Sequence, residues 1–242
     1  MDALRLDGRY VAEEHVVVNL ASLGALARRS PALSEDFRSR VFLAGNPQEQ
    51  GDPFSLEFRV SPEIAAVTDR FVGPGLHIVQ GVALQKHEFE DQRFARAALV
   101  HLALAGTVNL DLPDRSRLLL APLAAERGDA RAVLAPMDIR RFDLAAQLVV
   151  LSGTVVPGPG QSPFDSRLAF VADFLEAGSA AVLVSLWPPG ERESADFASD
   201  LYRGLSDDRD IVKVLAATKR SRIVANPRTN FPSWASFQLF IR

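Results

Sequence analysis

The chain has 242 residues, of which 48% are hydrophobic and 24% charged, with a formal net charge of −3. This composition is typical of a folded α/β domain and excludes the strongly basic surface of most nucleic-acid-binding or anionic-membrane-binding proteins. The chain contains no cysteine, which excludes disulfides, thiolate metal sites and a cysteine nucleophile. No apolar run reaches the roughly 18 residues of a membrane helix, and the opening residues lack a secretory signal. We therefore expect a cytoplasmic protein that binds neither nucleic acid nor membrane.

The first half of the chain alternates strand-like and helix-like segments. Ser61, Pro62 and Glu63 have the types expected at an N-cap and in the first helical turn, so they predict a helix over 61–71. A Gly-Asn-Pro sequence ends an apolar run at 40–47, which is typical of a strand followed by a loop. In chain order the pattern predicts strands at 9–11, 15–23 and 40–47, the helix, a strand at 76–84, an amphipathic helix at 88–97 and a strand at 98–106.

The second half continues the alternation. Apolar residues at helical spacing over 162–178 stop at Gly178, a residue type favoured just after a helix. The remaining segments predict a hairpin arm at 115–123, a short helix at 135–144, strands at 146–153 and 179–189, helices at 191–205 and 208–224, and a last strand at 233–242.

The order of these segments predicts an α/β fold. Near-continuous apolar strands separated by helices indicate a mostly parallel sheet that is buried on both faces. We find no repeat or linker, so we expect a single domain over 1–242, with an N-terminal hairpin within residues 1–30 as part of it. Ligands of such sheets bind at the carboxyl ends of the strands. The strand ends at 101–106 and 151–158 are therefore the candidate sites.

Four segments carry a resemblance to a known family. They are "HLALAG" at 101–106, "LSGTVVP" at 151–157, "AGSAAVLVSLWPP" at 177–189 and "WASFQLF" at 234–240. In order and spacing they resemble the segments of the CHAT domain family. Members of that family are caspase-like domains of the cysteine peptidase type and are related to separase. The resemblance covers essentially the whole chain. It implies a caspase-like three-layer sandwich, with a mostly parallel central sheet and helices on both faces.

The resemblance also implies that the catalytic dyad has been lost. The family motif H-x-A-T-H-G supplies a general-base histidine, whose position falls on Ala105, while the first histidine of that motif falls on His101. The motif L-S-A-C-E-T-G supplies the nucleophilic cysteine, whose position falls on Thr154, and its alanine falls on Gly153. The resemblance therefore implies a catalytically inactive member of the family, a pseudoenzyme.

The sequence gives little support for a threonine nucleophile, a metal site or a phosphate-binding loop. A threonine hydroxyl needs an adjacent base to act as a nucleophile, and His101 lies roughly 13 Å along an extended strand from Ala105. His15, His77 and His87 show no metal-ligand spacing, and the glycine-rich segments match no phosphate-binding loop. We therefore expect neither a metal nor a cofactor.

The resulting hypothesis is a pseudoprotease that binds proteins as a regulatory or scaffolding component of a complex. By resemblance, the partner would be an active protease or another complex subunit, in bacterial defence or regulated proteolysis. The predicted partner groove comprises His101, Gly106, Ser152, Gly153, Val155, Ser185 and Trp187.

Two alternatives stay open: a hydrolase with a substituted nucleophile at Thr154 or Ser152, and a docking domain of a longer chain. Val155 and Val156 are expected to pack inward and narrow the former cleft, because β-branched apolar residues favour burial.

Overall fold

The computed structural model describes residues 4–22, 31–45, 61–71, 73–109, 111–122, 131–153, 155–157, 168–187, 189–225 and 233–242. Its strands are β1 Arg5–Leu6, β2 Arg9–Tyr10, β3 Asn19–Leu20, β4 Val41–Gly45, β5 Leu76–Gln80, β6 Leu99–Ala103, β7 Gly106–Val108, β8 Arg117–Pro122, β9 Arg131–Leu134, β10 Leu148–Leu151, β11 Val155–Pro157, β12 Ala181–Ser185 and β13 Phe237–Ile241. Its α-helices are α1 Val11–Glu14, α2 Pro62–Thr68, α3 Gln92–Ala95, α4 Pro136–Arg140, α5 Leu168–Glu176, α6 Glu191–Asp207, α7 Ile211–Ala225 and α8 Ser233–Ser236.

Within these ranges the main sheet has seven strands in the order β3-β13-β12-β10-β6-β4-β5. β12 and β13 pair antiparallel, and the other neighbours pair parallel. The central strands β4, β6, β10 and β12 are buried along their whole length. Their continuous apolar runs are those expected of parallel strands covered on both faces. The prediction of a mostly parallel central sheet is confirmed.

Successive residues of each strand point to opposite faces of the sheet, and each face has its own core. On one face, strand residues such as Leu43 and Val150 pack with Phe71 after α2, Tyr202 on α6 and Trp234 on α8. On the other face, Phe42 and Val149 pack with Phe94 on α3 and Phe170 and Phe174 on α5. Helices therefore cover both faces, which gives the three-layer architecture expected from the sequence.

A smaller sheet follows the ends of the two central strands. Its order is β11-β7-β8-β9. β7 pairs parallel with β11, with Gly106 opposite Val155, and antiparallel with β8. The continuations of β6 and β10 thus pair with each other again after leaving the main sheet.

Several segments differ from the sequence prediction. The expected helix at 88–97 is a 3-10 turn over Lys86–Phe89 followed by α3. The break comes at Asp91, whose side chain accepts a hydrogen bond from the Arg93 amide and so caps a new helix. Only Asn19 and Leu20 of the expected strand 15–23 pair with the sheet, and residue 23 lies outside the described ranges.

Other boundaries agree with the prediction. Ser61 caps α2 through its Oγ, which accepts from the Ile64 amide. Gly178 follows α5 with a positive φ of 122°, a conformation that glycine adopts without strain. In the described part of the chain, no helix combines the length and apolar character required to cross a bilayer.

Arg140 on α4 links three elements beside the second core. Its guanidinium lies 2.7 Å from Asp114, in the turn before β8, and 3.2 Å from Asp173 on α5. Asp173 is only 4% exposed, and its Oδ2 has no hydrogen-bond partner among the described residues. Burial raises the pKa of Asp173 to about 6; Arg140 opposes this shift, and the neighbouring carboxylates Glu176 and Asp114 add to it.

Asp173→Asn is expected to stabilise the fold at pH 7 by about 1–3 kcal/mol, because a carboxyl whose pKa is raised by folding ionises at a disadvantage in the folded state. The folded-state pKa of about 6 lies above the ordinary value of 3.8, so the contribution of Asp173 to stability is fully present below that ordinary value and is lost as the pH rises through 6. Urea unfolding between pH 4 and pH 7 measures this slope. The slope should be smaller in Asp173→Asn and unchanged in the exposed control Asp143→Asn. Parallel pH profiles for wild type and Asp173→Asn would contradict the prediction.

Candidate functional site

The two candidate strand ends lie side by side. Leu102 of β6 is the register partner of Leu151 of β10, and the Ser152 amide donates a hydrogen bond to the Leu102 carbonyl at 3.2 Å. Four residues further along each segment, Gly106 pairs with Val155. The structure therefore brings together the two segments that carry the dyad positions. Thr154 itself lies outside the described residues.

The segments approach so closely that no side chain fits between them at Gly153. A Cβ atom on Gly153 would lie 1.8 Å from the Leu104 carbonyl oxygen. Ala105 is partly buried, and its carbonyl accepts a hydrogen bond from the Leu119 amide of β8 at 2.8 Å. Leu104 and Gly153 also line a small apolar cavity of about 20 Å³, which is the size of one water molecule. In the described residues, the ends of β6 and β10 therefore pack directly against each other; we call this contact the strand-end junction.

His101 forms the centre of a buried polar cluster on the α2 and α6 side of the sheet. It is 0% exposed, and both of its ring nitrogens have partners. Nδ1 lies 2.6 Å from Tyr202 Oη. Nε2 lies 3.0 Å from Ser152 Oγ and at an ion-pair distance of 3.2 Å from Glu63 Oε1.

Glu63 supplies the acidic group of this cluster. It is 6% exposed, and its Oε2 accepts a hydrogen bond from Ser194 Oγ at 2.7 Å. Oε1 does not meet the geometry of a hydrogen bond, so its contact with His101 is an ion pair rather than a directed bond. Burial alone would raise the pKa of Glu63, but the charge of His101 and the surrounding donors hold it below its ordinary value.

Tyr202 keeps its phenol proton. Burial, and secondarily the Glu63 charge, raise the pKa of Tyr202 well above its ordinary value. The cluster therefore joins α2, α6 and the strands β6 and β10 through hydroxyl groups, one imidazole and one carboxylate. Buried polar groups require such partners, because an unsatisfied one costs about 1–3 kcal/mol.

The serine, histidine and glutamate of this cluster do not form a catalytic triad. In a triad the acid binds the ring nitrogen opposite the one that faces the nucleophile. Here Ser152 and Glu63 both lie beside Nε2, while Tyr202 occupies Nδ1. Ser152 is also only 5% exposed, so its hydroxyl faces the core rather than a substrate.

The predicted groove residues do not form one open surface. Four of them are in the interior, because the strand body is covered on both faces: His101, Gly106, Ser152 and Ser185. Gly153 and Trp187 are partly exposed, and Trp187 packs against the first core. The Val155 backbone belongs to β11, but its side chain and that of Val156 lie outside the description. The inward packing of these two valines stays a prediction.

The other histidines lie away from this junction. His77 is on the edge strand β5, where Nε2 lies 2.9 Å from Glu88 and Nδ1 lies 3.1 Å from Arg93. His15 and His87 are exposed. Across the described ranges, no group of three or more histidine, aspartate and glutamate side chains is arranged to hold a metal ion.

The sequence analysis missed the acidic half of the buried cluster. The sequence placed Glu63 only in the first turn of a helix, and Tyr202 and Ser194 only within the predicted helix at 191–205. One signal was present: a histidine inside an otherwise apolar strand requires a buried polar partner. The sequence did not identify that partner, because Tyr202 is 101 residues from His101 and Ser194 is 131 residues from Glu63.

A family model for the CHAT domain matches residues 1–241. The chain belongs to the CHAT domain family. This family is related to the caspase-like peptidases, and the seven-stranded sheet with helices on both faces agrees with a caspase-like three-layer sandwich. No curated protein gives a significant match to the chain.

Proposed function

We propose that this CHAT domain is a catalytically inactive pseudoprotease that acts by binding other proteins. The observation that carries the proposal is the composition of the strand ends. The family's nucleophile position is occupied by Thr154 and its base position by Ala105, in a chain without any cysteine. A cysteine–histidine dyad cannot be assembled from these residues.

The placement of the four histidines supports the proposal. A general base must lie within hydrogen-bond reach of the proton it removes, about 2.6–3.2 Å. His101 uses both ring nitrogens inside the core, and His77 is held by Glu88 and Arg93 two strands away from β6. Neither His101 nor His77 is thus free to replace the base missing at Ala105, and His15 and His87 are exposed.

The close approach of the strand ends also supports the proposal. A catalytic cleft needs space between the base and the nucleophile for a peptide bond. Here Gly153 abuts the Leu104 carbonyl, and β7 and β11 pair directly beyond it. These contacts leave no room for a side chain between the two strand ends at Gly153.

The proposed role is regulatory or scaffolding, within a multiprotein complex. An active protease is one partner class that fits a family of caspase-like, peptidase-related domains, and bacterial defence or regulated proteolysis is the setting proposed by analogy. Fold analogy alone carries this part of the proposal. A cytoplasmic location belongs to the same proposal.

The test is covalent labelling of the purified chain with an electrophilic hydrolase probe, together with a peptide-cleavage assay. We expect no labelling and no turnover, and we expect Thr154→Ala and Ser152→Ala to behave as the wild type does. Stoichiometric co-purification with a partner protein should survive both substitutions, because neither hydroxyl would have a chemical role. Labelling that is lost in either variant would overturn the proposal.

A serine hydrolase is the second candidate, because Ser152 Oγ lies 3.0 Å from His101 Nε2. The same hydroxyl is 5% exposed, and the acid lies at the wrong ring nitrogen for a triad. In the labelling experiment this candidate predicts a signal that is lost in Ser152→Ala and retained in Thr154→Ala.

A further inference from the structure

β5 is an edge strand of the main sheet. It pairs parallel with β4 on one side, and in the described part of the chain no strand pairs with its other side. β5 has five residues, Leu76–Gln80, whereas β3 at the opposite edge has two. An edge of this kind presents a row of unpaired backbone groups to which a further strand can add.

The pairing with β4 fixes which backbone groups of β5 point outward. The Val41 amide donates a hydrogen bond to the Gly75 carbonyl at 3.0 Å, and Val41 is the register partner of Leu76. In a parallel pair, successive residues direct their backbone groups alternately toward and away from the neighbouring strand. The residues of β5 that face away from β4 are therefore Leu76, Ile78 and Gln80.

Most of these outward groups have no backbone partner. The Leu76 amide is an exception, because it donates to the Gly73 carbonyl at 3.2 Å. Among the described residues, neither the amide nor the carbonyl of Ile78 is paired with another backbone group, and the Gln80 amide is unpaired in the same sense. Ile78 is 37% exposed, so the centre of the edge is open to solvent.

The edge also lacks the features that usually prevent strands from adding. Natural edge strands are protected by charged side chains, proline or bulges. The sequence of β5, LHIVQ, contains no acidic or basic residue apart from His77 and no proline, and its register with β4 is regular. The helix α2, which packs on β4, has Glu63 as its one charged residue, and Glu63 is buried.

Charged residues contact β5 on the other face of the sheet, through His77, and they are paired within the chain. Glu88 lies between His77 and His87, at 2.9 and 3.2 Å from their Nε2 atoms. Arg93 forms an ion pair with Asp91 at 2.9 Å. The edge therefore presents unpaired backbone groups and apolar surface rather than a charge of one sign.

We propose that two copies of this chain pair through β5, antiparallel about a two-fold axis at Ile78. In this register Ile78 lies opposite its own counterpart and exchanges both of its backbone hydrogen bonds with it. Leu76 lies opposite Gln80 of the second copy, whose amide donates to the Leu76 carbonyl. The two main sheets then form one continuous sheet, and the two-fold axis closes the assembly as a dimer.

A second copy fits this edge because the strand is complementary to itself. Like charges directly opposite one another destabilise a strand pair, and self-pairing in this register sets none against each other, since isoleucine meets isoleucine, leucine meets glutamine and histidine meets valine. Pairing also covers the exposed Ile78 side chain with its counterpart. This contact lies on the face where Leu76 packs against the first core, because Leu76 and Ile78 share one side of the strand.

The predicted dimer is weak. One pair of five-residue strands buries less than the total of about 1,200 Å² at which stable interfaces begin. We therefore expect monomer and dimer to exchange, with a dissociation constant of about 10–100 μM.

Sedimentation equilibrium of the full chain between about 5 and 500 μM brackets this constant. Ile78→Lys and Ile78→Glu each place two like charges on the axis and should weaken the dimer at least tenfold. Val224→Lys is the matched control and should leave the dimer unchanged, because Val224 is an apolar residue, 81% exposed, on α7, away from the sheet edge.

An equimolar mixture of the Ile78→Lys and Ile78→Glu variants tests the axis itself. Pairing about Ile78 sets the introduced ammonium directly opposite the introduced carboxylate, and opposite charges at such positions stabilise a strand pair. The mixture should therefore recover the dimer that each variant alone has lost, which also shows that both variants are folded. In the wild type, amide hydrogen exchange should slow with concentration at Ile78 and Gln80 but not at His77 and Val79, whose amides already bond to β4.

Three results would overturn the proposal: a monomer at every concentration, a dimer that Ile78→Lys leaves intact, or a mixture that stays monomeric. A monomeric wild type whose co-purifying partner is lost in Ile78→Lys would also overturn it, and would assign the edge to a strand of another protein. None of these results bears on the pseudoprotease assignment, which the hydrolase probe tests separately.

Discussion

His101→Ala is expected to lower the free energy of unfolding by about 3–5 kcal/mol, because it removes the imidazole that lies beside the buried Glu63 carboxylate and leaves that carboxylate without a partner at Oε1. In this variant Glu63 remains 6% exposed in the core, and Ser152 and Tyr202 lose their hydrogen bonds to the imidazole. Urea unfolding followed by circular dichroism at pH 7 measures the loss. His87→Ala is the matched control, since the His87 side chain is 71% exposed and its removal should change stability by less than about 0.5 kcal/mol.

A double variant distinguishes the ion pair from simple loss of packing. Replacing both partners of a buried pair with apolar residues of similar volume is often nearly neutral, so His101→Leu combined with Glu63→Met should be more stable than either single variant. Additive losses would contradict the proposed pairing. The pKa of Glu63 is held below its ordinary value of 4.5, so the wild-type pair stabilises the fold above that pH and loses its contribution as the pH falls further.

The main elements of the fold could be predicted because their causes are local. The strands β4, β6, β10 and β12 are nearly continuous apolar runs, which indicate strands buried on both faces. The stop predicted at Gly178 agrees with the end of α5 two residues earlier, at Glu176. The prediction of one helix over 88–97 was wrong for an equally local reason. Its apolar spacing suggested one helix, but the side chain of Asp91 caps a second, separate turn.

The predicted groove shows that a strand pattern in the sequence does not tell which residues at a strand end are exposed. The candidate residues were chosen because they lie at strand ends, yet His101 in the body of β6 and Ser185 at the last position of β12 are both 0% exposed. In a sheet covered on both faces, either orientation of a strand residue leads into a core. Exposure at such an edge depends on how the following segments pack, and here they pair with each other as β7 and β11.

Gly153 lies at the point where the two strand ends approach closely, and by resemblance it also lies within the family's cysteine motif. The family motif places an alanine at this position, one residue before the cysteine. In this chain even that methyl group would collide with the Leu104 backbone, with separations of 1.8 Å to the carbonyl oxygen and 2.2 Å to the carbonyl carbon. The close approach of the strand ends therefore requires a residue without a side chain at this position.

Gly153→Ala is accordingly expected to destabilise the fold by about 3 kcal/mol, at the upper end of the range for overpacked sites. The backbone atoms of Leu104 cannot rotate away as a flexible side chain can, so β6 and β10 must separate at their ends. The φ of Gly153 is not positive, which means that the loss is steric and does not come from backbone strain. Urea unfolding measures the loss, and amide hydrogen exchange at 106–108 and at Val155 and Val156 should rise in the variant.

Gly190→Ala is the matched control for this substitution. A Cβ atom there would lie 2.2 Å from Glu193 Oε2, a comparably short distance, but to the far end of a flexible side chain that can move. We expect its stability to change by less than about 1 kcal/mol, because such a contact is relieved by a rotamer change. If Gly153→Ala were equally mild, with unchanged exchange in β7 and β11, the strand ends would have room for a side chain. The close packing of the former cleft would then no longer support an inactive domain, and the assignment would depend on the missing cysteine and histidine alone.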